Sequence, residues 1–343
     1  MSLRKAMAEA VQGHEVPAPL LEAAFEEIVA GGASEAQIAG LLVALRTKGE
    51  TVGEIVAAAR ALRAHADTAC ADPRAVDTCG TGGDGAETFN ISTAAAFVVA
   101  GAGVPVAKHG NRSASSRCGS IDLLEGLGVR VELSTAESAR LLAEVGVAPF
   151  FARRAHPAMR HVAPVRAALG IRTLMNCLGP LLNPVGARHQ LVGVYDAGLV
   201  EPLAEALGRL GAVRALVVHG DDGLDEITTT GPTRAALFAE GRVEVRTLTP
   251  EHVGLARSRA EDLRGGGLEE NVAIVRAILA GEPGPPRDVV VANAGAALWV
   301  GGAVADWAAG VARAGESLDS GAAAERLDAL VRASQALPGA AGR

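Results

Sequence analysis

Apolar residues recur with the period of an α-helix through the first 70 residues of the chain. The spacing is clearest at Leu20, Leu21, Ala24, Phe25, Ile28 and Val29. Ser34 with Gln37, and Thr51 with Glu54, fit the capping box, in which two side chains bond the free N–H groups at a helix start. Because this stretch has no strong strand signal, we predict a small N-terminal helical domain over residues 1–72.

After Asp72 and Pro73 the pattern changes to short apolar strands that alternate with helical stretches. Strands are predicted at 75–78, 104–108, 190–195, 215–219 and 289–292, and helices at 91–101, 121–127, 162–169 and 316–336. Such alternation is typical of an α/β fold with a mostly parallel sheet covered on both faces. We therefore predict a larger α/β domain over residues 73–343, with a Gly/Pro-rich connector at 176–186. The longer apolar stretch 289–311 also fits a buried helix, and its polar interruptions argue against a membrane span.

Composition and charge narrow the class of protein. The 343-residue chain is 49% hydrophobic and 21% charged, which is typical of a globular protein of about two domains. Its net charge of -7 argues against wide contact with nucleic acid or an anionic membrane, because both require a basic surface. The N-terminus lacks the apolar core of a signal peptide. No CxxC spacing occurs among Cys70, Cys79, Cys118 and Cys177, so we expect a cytoplasmic protein with neither a zinc site nor a disulfide framework.

A run rich in glycine and hydroxyl side chains occupies residues 77–93, between a predicted strand and a predicted helix. It matches the G-x-G-x-x-G dinucleotide fingerprint, but the helix begins late and the next strand ends in Lys108 and His109 rather than in an acidic residue. A Walker A loop is excluded because no Gly-Lys-Ser/Thr follows. We interpret this glycine-rich run as an anion cradle for a phosphorylated ligand, with a plain turn as the alternative. Because Asp84 would repel a phosphate, the run also indicates a cation.

A second candidate loop covers residues 108–120 and follows the next predicted strand. It combines the cations Lys108, Arg112 and Arg117 with several hydroxyls and two glycines. Charge-assisted donors on a flexible backbone suit a multiply charged phosphate ligand. A solvated basic loop is the alternative, which we disfavour because the glycine-rich run lies one βαβ unit away.

Acidic residues cluster at 221–226, directly after the predicted strand 215–219. Loops that follow parallel strands lie at the carboxyl edge of the sheet, where ligands bind. Mg²⁺ commonly joins a few carboxylates to substrate phosphates. An acidic surface turn is the alternative, but the two phosphate loops favour Asp225 and Glu226 as ligands of a cation.

The segment 156–166 is less informative. His156 and His161 are five residues apart, off a common helix face, so metal ligation is disfavoured. Arg166 falls in the first turn of the predicted helix 162–169, where the helix dipole disfavours a cation. From spacing alone we interpret Arg166 as a surface residue.

Taken together, these segments resemble the anthranilate phosphoribosyltransferase family. The motifs Gly-Thr-Gly-Gly-Asp, Asn-Ile-Ser-Thr, Lys-His-Gly-Asn-Arg and Gly-Leu-Asp-Glu occur in this order, as does a segment with His-Pro-Ala-Met-Arg, Pro-Val-Arg, Leu-Gly-Ile-Arg-Thr and Leu-Gly-Pro. The resemblance covers nearly the whole chain. Met175 and Cys177 stand where the family often has Phe and Leu, and Ser113 with Ala114 replaces a more usual Ala-Val. Neither departure removes a polar group that the chemistry needs.

The resemblance implies transfer of the phosphoribosyl group of phosphoribosyl pyrophosphate (PRPP) to anthranilate, with release of pyrophosphate, in tryptophan biosynthesis. It implies a fold like that of the pyrimidine nucleoside phosphorylases, with the helical domain hinged to the α/β domain and a return segment near 168–192. It further implies Mg²⁺ as cofactor and a homodimer formed through the helical domain, without a nucleic-acid or membrane partner. A pyrimidine nucleoside phosphorylase-like enzyme and a non-catalytic nucleic-acid-binding relative are the alternatives.

The resemblance also assigns site residues. PRPP would contact Gly80, Gly83, Asp84, Thr88, Asn90, Ile91, Ser92, Thr93, Lys108, His109, Gly110, Asn111, Arg112, Ser113, Ala114, Ser115, Ser116 and Ser120. Magnesium would be held by Ser92, Asp225 and Glu226. Anthranilate would contact Gly80, Asn111 and Arg166, whose guanidinium would face the carboxylate, so the resemblance replaces the surface interpretation of Arg166. His109 is the candidate catalytic residue, either as acceptor of the amine proton or as a packing residue.

Overall fold

The N-terminal part of the chain is a helical bundle in the computed structural model, which describes residues 1–113 and 117–338. Its helices are α1 (Ser2–Val11), α2 (Ala18–Val29), α3 (Glu35–Lys48) and α4 (Val52–Ala64). Both predicted capping boxes form: the Ser34 hydroxyl accepts the Gln37 N–H at 3.3 Å, and the Thr51 hydroxyl accepts the Glu54 N–H at 3.2 Å. The predicted small helical domain of the fold is confirmed.

A seven-stranded sheet lies at the centre of the remaining chain. Its strands are β1 (Val76–Gly80), β2 (Val106–Gly110), β3 (Val147–Phe151), β4 (His189–Gly193), β5 (Arg214–Gly220), β6 (Thr233–Ala239) and β7 (Arg242–Leu248). The order is β3-β2-β1-β4-β5-β6-β7. The first five strands in this order are parallel, whereas β6 pairs antiparallel with both β5 and β7. This confirms the predicted mostly parallel sheet, although the sequence pattern does not predict β3, β6 or β7.

Helices cover the sheet on both faces. They are α5 (Ile91–Gly101), α6 (Ser120–Gly126), α7 (Thr135–Val145), α8 (Ala152–Ala155), α9 (Ala163–Leu169), α10 (Leu174–Leu178), α11 (Val200–Arg209), α12 (Leu268–Leu279), α13 (Pro285–Val300), α14 (Trp307–Asp319) and α15 (Ala322–Ala336). Short 3-10 helices occur at Pro157–His161, Gly179–Leu182, Ala197–Leu199, Pro250–Val253 and Ala260–Leu263. Within the described ranges, no helix is both long enough and apolar enough to span a membrane.

Two predicted elements are wrong. The stretch 289–292 lies in α13 and not in a strand. Its three valines are typical of strands, but α13 is apolar on all sides, and every residue from 289 to 300 is buried. The single final helix predicted over 316–336 is two helices, α14 and α15, divided near Gly321, whose φ of 78° suits a break.

The connector at 176–186 joins the bundle to the sheet. Helices α9 and α10 contact α3, and α10 also contacts α4. Asn183 fastens the connector to the sheet, because its Nδ2 donates to Asp77 Oδ2 at 2.8 Å and to the Ala107 carbonyl at 2.9 Å. Residues 163–186 therefore contact both the helical bundle and the first residues of β1 and β2.

Candidate active site

The acidic segment after β5 lies directly on the carboxyl ends of β1 and β4. Gly80 and Gly193 are register partners at these ends. A Cβ at Gly193 would lie 1.5 Å from the Asp225 carbonyl oxygen, and one at Gly80 would lie 2.5 Å from Asp225 Oδ2. Asp225 Oδ2 accepts the Gly82 N–H at 2.7 Å, and Glu226 Oε1 accepts the Ser92 N–H at 3.2 Å. The structure thus joins the predicted metal residues to the glycine-rich run.

The carboxylates at this point repel one another. The Asp225 N–H donates to Asp84 Oδ2 at 3.4 Å, which places Asp84 beside the pair. Burial, then the charges of Glu226 and Asp84, raise the pKa of Asp225 well above its usual range. Burial also raises the pKa of Glu226 to about 7, against the opposing effect of Lys108. Both side chains remain half-buried, so a cation from solvent can reach them.

This donor set fits a Mg²⁺ ion that shares its ligands with a phosphorylated substrate. Within residues 1–113 and 117–338, no three His, Cys, Asp or Glu side chains form a complete metal site. Mg²⁺ usually takes one or two carboxylates and completes its shell with water and substrate phosphate. Two adjacent carboxylates, one of them bonded to the backbone of Ser92, together with the Ser92 hydroxyl match that requirement.

Lys108 places a fixed positive charge behind the start of α5. Its side chain is buried, and its ammonium donates to the Thr78 carbonyl and, at 3.3 Å, to Ser92 Oγ. The Thr78 hydroxyl in turn donates to the Ser92 carbonyl at 3.0 Å. Lys108 therefore compensates the nearby carboxylates and orients the Ser92 hydroxyl.

The glycine-rich run is a chain of left-handed turns. Gly82, Gly83 and Gly85 have φ values of 65°, 76° and 75°, and Glu87 has a φ of 54°. Thr88 forms a bridge to Arg264, and Asn90 is the N-cap residue that precedes α5. The side chains of Ile91 and Thr93 are buried, so these two residues can offer only backbone groups to a ligand.

The described ends of the second loop, residues 108–113 and 117–120, contact each other. Ser120 Oγ donates to the Asn111 carbonyl at 3.3 Å, and a Cβ at Gly110 would lie 2.2 Å from Ser120 Oγ. Arg112 contacts the carboxylates of Asp122 at 2.9 Å and Glu125 at 2.7 Å. These carboxylates raise the pKa of Arg112. Ser113, a predicted PRPP contact, lies in this loop and donates its backbone N–H to Asp122. The predicted contacts Ala114, Ser115 and Ser116 lie outside the described residues.

His109 points into the protein. Its ring lies edge-on to His156 with centroids 5.4 Å apart, and its Nε2 has no hydrogen-bond partner in the part of the chain that the structure describes. Burial, then His156 and Lys108, lower the pKa of His109 to about 3. Its backbone N–H donates to Asp77 Oδ1 at 3.1 Å. His109 is therefore a neutral, buried side chain at pH 7.

Arg166 lies in the last turn of α9, so the prediction that it lies in the first turn is wrong. The helix dipole favours a cation at this end. Arg166 is half-buried, and burial lowers the pKa of its guanidinium. Among the described residues its guanidinium has no hydrogen-bond or ion-pair partner, whereas its backbone groups are bonded to Val162 and Gly170. The guanidinium is thus free to bind an anion.

Sequence reasoning missed the role of Arg172. Its guanidinium donates to the Gly83 carbonyl and stacks on the Tyr195 ring, 3.9 Å from the centroid. The Tyr195 N–H also donates to Thr81 Oγ1 at 3.1 Å. Arg172 stands in the Leu-Gly-Ile-Arg-Thr motif, which was the only signal that pointed to it.

The two parts of the fold match two domains of one family. Residues 4–66 match the helical bundle domain of the glycosyl transferase family, and residues 72–324 match its a/b domain. The fold, with its polar loops at the carboxyl edge of the sheet, and these two matches therefore define a glycosyltransferase.

Similar proteins narrow this class. The chain is 54% identical over 338 residues to anthranilate phosphoribosyltransferase of Rubrobacter xylanophilus, a match that covers 98% of this chain and 99% of that protein. The crystal structure of anthranilate phosphoribosyltransferase from Thermus thermophilus is 46% identical with a TM-score of 0.92, over 96% of this chain and 99% of that chain. Two structures of the anthranilate phosphoribosyltransferase from Saccharomyces cerevisiae are also similar, each over 98% of both chains. The structure in complex with PRPP and Mg is 27% identical with a TM-score of 0.89. The structure in complex with 4-fluoroanthranilate is 26% identical with a TM-score of 0.88. The chain belongs to the anthranilate phosphoribosyltransferase family, which confirms the resemblance seen in the motifs.

Proposed function

We propose that this enzyme transfers the phosphoribosyl group of PRPP to the amine of anthranilate in a Mg²⁺-dependent reaction. The observation that carries the proposal is the meeting of Asp225 and Glu226 with Ser92, Lys108 and the glycine-rich run at one sheet edge. Backbone N–H groups of the run and the second loop would bind the phosphates. Ser92, Asp225 and Glu226 would hold the Mg²⁺ ion, which supplies charge neutralisation for the pyrophosphate when bound.

The reaction exchanges one bond at ribose C1 for another. The C1–oxygen bond to pyrophosphate breaks, the amine nitrogen of anthranilate bonds to C1, and the amine gives one proton to the departing pyrophosphate or to water. Positive charge develops on the ribose ring while negative charge develops on the leaving pyrophosphate. Lys108, fixed behind Ser92, stabilises the leaving group electrostatically. Because an aromatic amine is mostly neutral at pH 7, correct positioning of the two substrates accounts for much of the remaining acceleration.

Arg166 supplies the sharpest test of the proposal. Loss of fluorescent anthranilate after addition of PRPP and Mg²⁺ measures the reaction. Arg166→Ala should raise the anthranilate KM by about 30- to 150-fold, since a hydrogen bond to a charged group contributes about 2–3 kcal/mol. The PRPP KM should stay within about threefold. The exposed Arg160 on the neighbouring 3-10 helix serves as control, and Arg160→Ala should leave both KM values unchanged. Equal increases in both KM values for Arg166→Ala would contradict the assignment.

His109 is proposed as a packing and orienting residue rather than an essential base. The pKa of about 3 keeps its ring neutral throughout pH 5–8, so His109 cannot produce an acidic limb in that range. His109→Ala should lower kcat by about tenfold or less, below the roughly 10²- to 10⁴-fold contribution of general base catalysis. Profiles of kcat against pH for the two proteins should have the same shape. Complete loss of turnover with intact PRPP and anthranilate binding would refute this role.

The same proposal includes four further predictions: the domain boundary near residue 72, the return segment 168–192, the homodimer and the cytoplasmic location. A groove of about 690 Å³ between α1 and α3 supports a dimer through the helical bundle, because it exposes Val11 and Val43. Light scattering that gives the mass of a monomer would contradict the dimer.

A further inference from the structure

A third segment, residues 263–271, packs along the glycine-rich run. The Gly265 N–H donates to the Glu87 carbonyl at 2.9 Å, and the Phe89 N–H donates to the Leu263 carbonyl at 3.3 Å. A Cβ at Gly265 would lie 2.6 Å from the Phe89 nitrogen, so only glycine permits this approach. The segment fixes the run where Glu87 has a left-handed backbone. No motif of the sequence marked it as part of the site.

Asn271, in the first half of α12, connects this segment to the run. Its side chain is buried, at 2% exposure. Its Oδ1 accepts the Gly266 N–H at 2.8 Å, and its Nδ2 donates to Asn90 Oδ1 at 3.2 Å. Asn90 Nδ2 donates in turn to the Cys118 carbonyl at 3.0 Å. Two amides therefore join α12, the start of α5 and the end of the second loop.

This arrangement allows only one orientation of the Asn90 amide. With its oxygen toward Asn271 and its nitrogen toward the Cys118 carbonyl, both contacts are donor–acceptor pairs. A flipped amide would oppose two oxygens at Cys118 and two NH₂ groups at Asn271. The donor at Asn271 thus decides how Asn90 ties the glycine-rich run to the second loop.

We propose that Asn271 is a positioning residue that holds Asn90, and through it the glycine-rich run and the end of the second loop at Cys118, in the arrangement that binds PRPP. The identity of the ligand rests on the proposed function. The contacts that Asn271 makes do not depend on that identity, so they can be tested separately.

Asn271→Asp is the most informative variant, because it keeps the size of the side chain and the acceptor for Gly266 but removes the donor to Asn90. PRPP binding, measured by calorimetry, should weaken about tenfold, or about 1.4 kcal/mol, and the PRPP KM should rise equally. The kcat and the anthranilate KM should stay within about threefold. Amide hydrogen exchange should become faster at residues 89–93. Unchanged PRPP affinity with only a lowered Tm would show a merely structural role and overturn the proposal.

A double-mutant cycle tests whether Asn271 acts through Asn90. Asn271→Ala should weaken PRPP binding in the wild-type background but have little further effect when Asn90→Ala is present. Additive effects would overturn the proposal, and this pair of variants also replaces Asn271→Asp if that protein does not fold. Ser317→Ala is the matched control, because the buried Ser317 hydroxyl bonds the Val98 carbonyl of α5 at 2.8 Å, away from the loops. If wild-type protein binds no PRPP, the proposed function fails, whereas unchanged exchange at residues 89–93 in Asn271→Asp refutes the role of Asn271.

Discussion

Replacement of Asp225 by Asn together with Glu226 by Gln is expected to lower kcat/KM by at least about a thousandfold, which is about 4 kcal/mol of transition-state stabilisation. Both carboxylates lie on the glycine-rich run beside Asp84, and as the proposed ligands they would supply the charge that holds a divalent cation against pyrophosphate. The amides keep the shape of the side chains and can still accept the N–H groups of Gly82 and Ser92. The loss would therefore report on charge and not on folding.

Metal binding should be measured apart from turnover. In the wild-type protein, Mg²⁺ with PRPP should raise the Tm, whereas the double variant should show little or no Mg²⁺-dependent increase. Asp221→Asn removes an exposed carboxylate from the same loop and should behave as wild type. Wild-type turnover in the double variant, or an unchanged response of its Tm to Mg²⁺, would contradict the assignment of these residues to the metal.

The same carboxylates should make the ligand-free protein less stable as the pH rises. The pKa of Glu226 is raised from 4.5 to about 7 in the folded protein. Between these values the unfolded chain has released a proton that the folded chain still holds, so the free energy of unfolding falls as pH increases across this window. The double variant should lack this slope and should melt at a higher temperature than wild type at pH 8 without ligand. The two carboxylates that the proposed site requires therefore lower the stability of the ligand-free protein.

The sequence predicts which polar residues come together at the candidate site better than it predicts how their side chains are arranged. The glycine-rich run, the second loop and the acidic pair each carry polar residues at fixed spacing after a strand, and parallel strands bring such loops to one edge. The joining of Gly80, Ser92, Asp225 and Glu226 could therefore be predicted. The orientation of Arg112 toward Asp122 and Glu125 could not, because it depends on side-chain packing within a folded loop.

Contacts between distant segments account for most of what the sequence leaves open. Asn271 bonds Asn90 although 181 positions separate the two residues in the sequence, and a local pattern of apolar residues cannot predict such a pair. The antiparallel hairpin of β6 and β7 was missed because β7 is exposed along most of its length and lacks the apolar alternation of a half-buried strand. Conversely, the valines at 289–291 indicated a strand, but burial on all sides of α13 outweighs local β propensity.

The Gly80–Gly193 pair supports the acidic segment that carries the proposed metal ligands, and it leads to the second prediction. Gly193→Ala should reduce kcat/KM by about a hundredfold and lower the Tm. The new methyl group would lie 1.5 Å from the carbonyl oxygen of Asp225, which is backbone and cannot rotate away. Either β4 or the acidic segment must move, and overpacking of this kind usually costs about 1–3 kcal/mol, occasionally more. Displacement of Asp225 would move its carboxylate away from the Gly82 N–H and change its position relative to the Glu226 carboxylate.

Gly80→Ala provides an internal comparison, because the atom nearest its methyl group is Asp225 Oδ2, at the end of a side chain, 2.5 Å away. That carboxylate can turn aside, so Tm should fall less than in Gly193→Ala while Mg²⁺ binding is still weakened. Gly231→Ala is the control, since a Cβ there meets no atom within 4 Å. Steady-state kinetics, calorimetric metal binding and thermal melting of the three variants check the prediction. Wild-type kcat/KM in Gly193→Ala would mean that the close contact of the acidic segment with β4 is not required for activity. The metal would then have to be bound by residues other than Asp225.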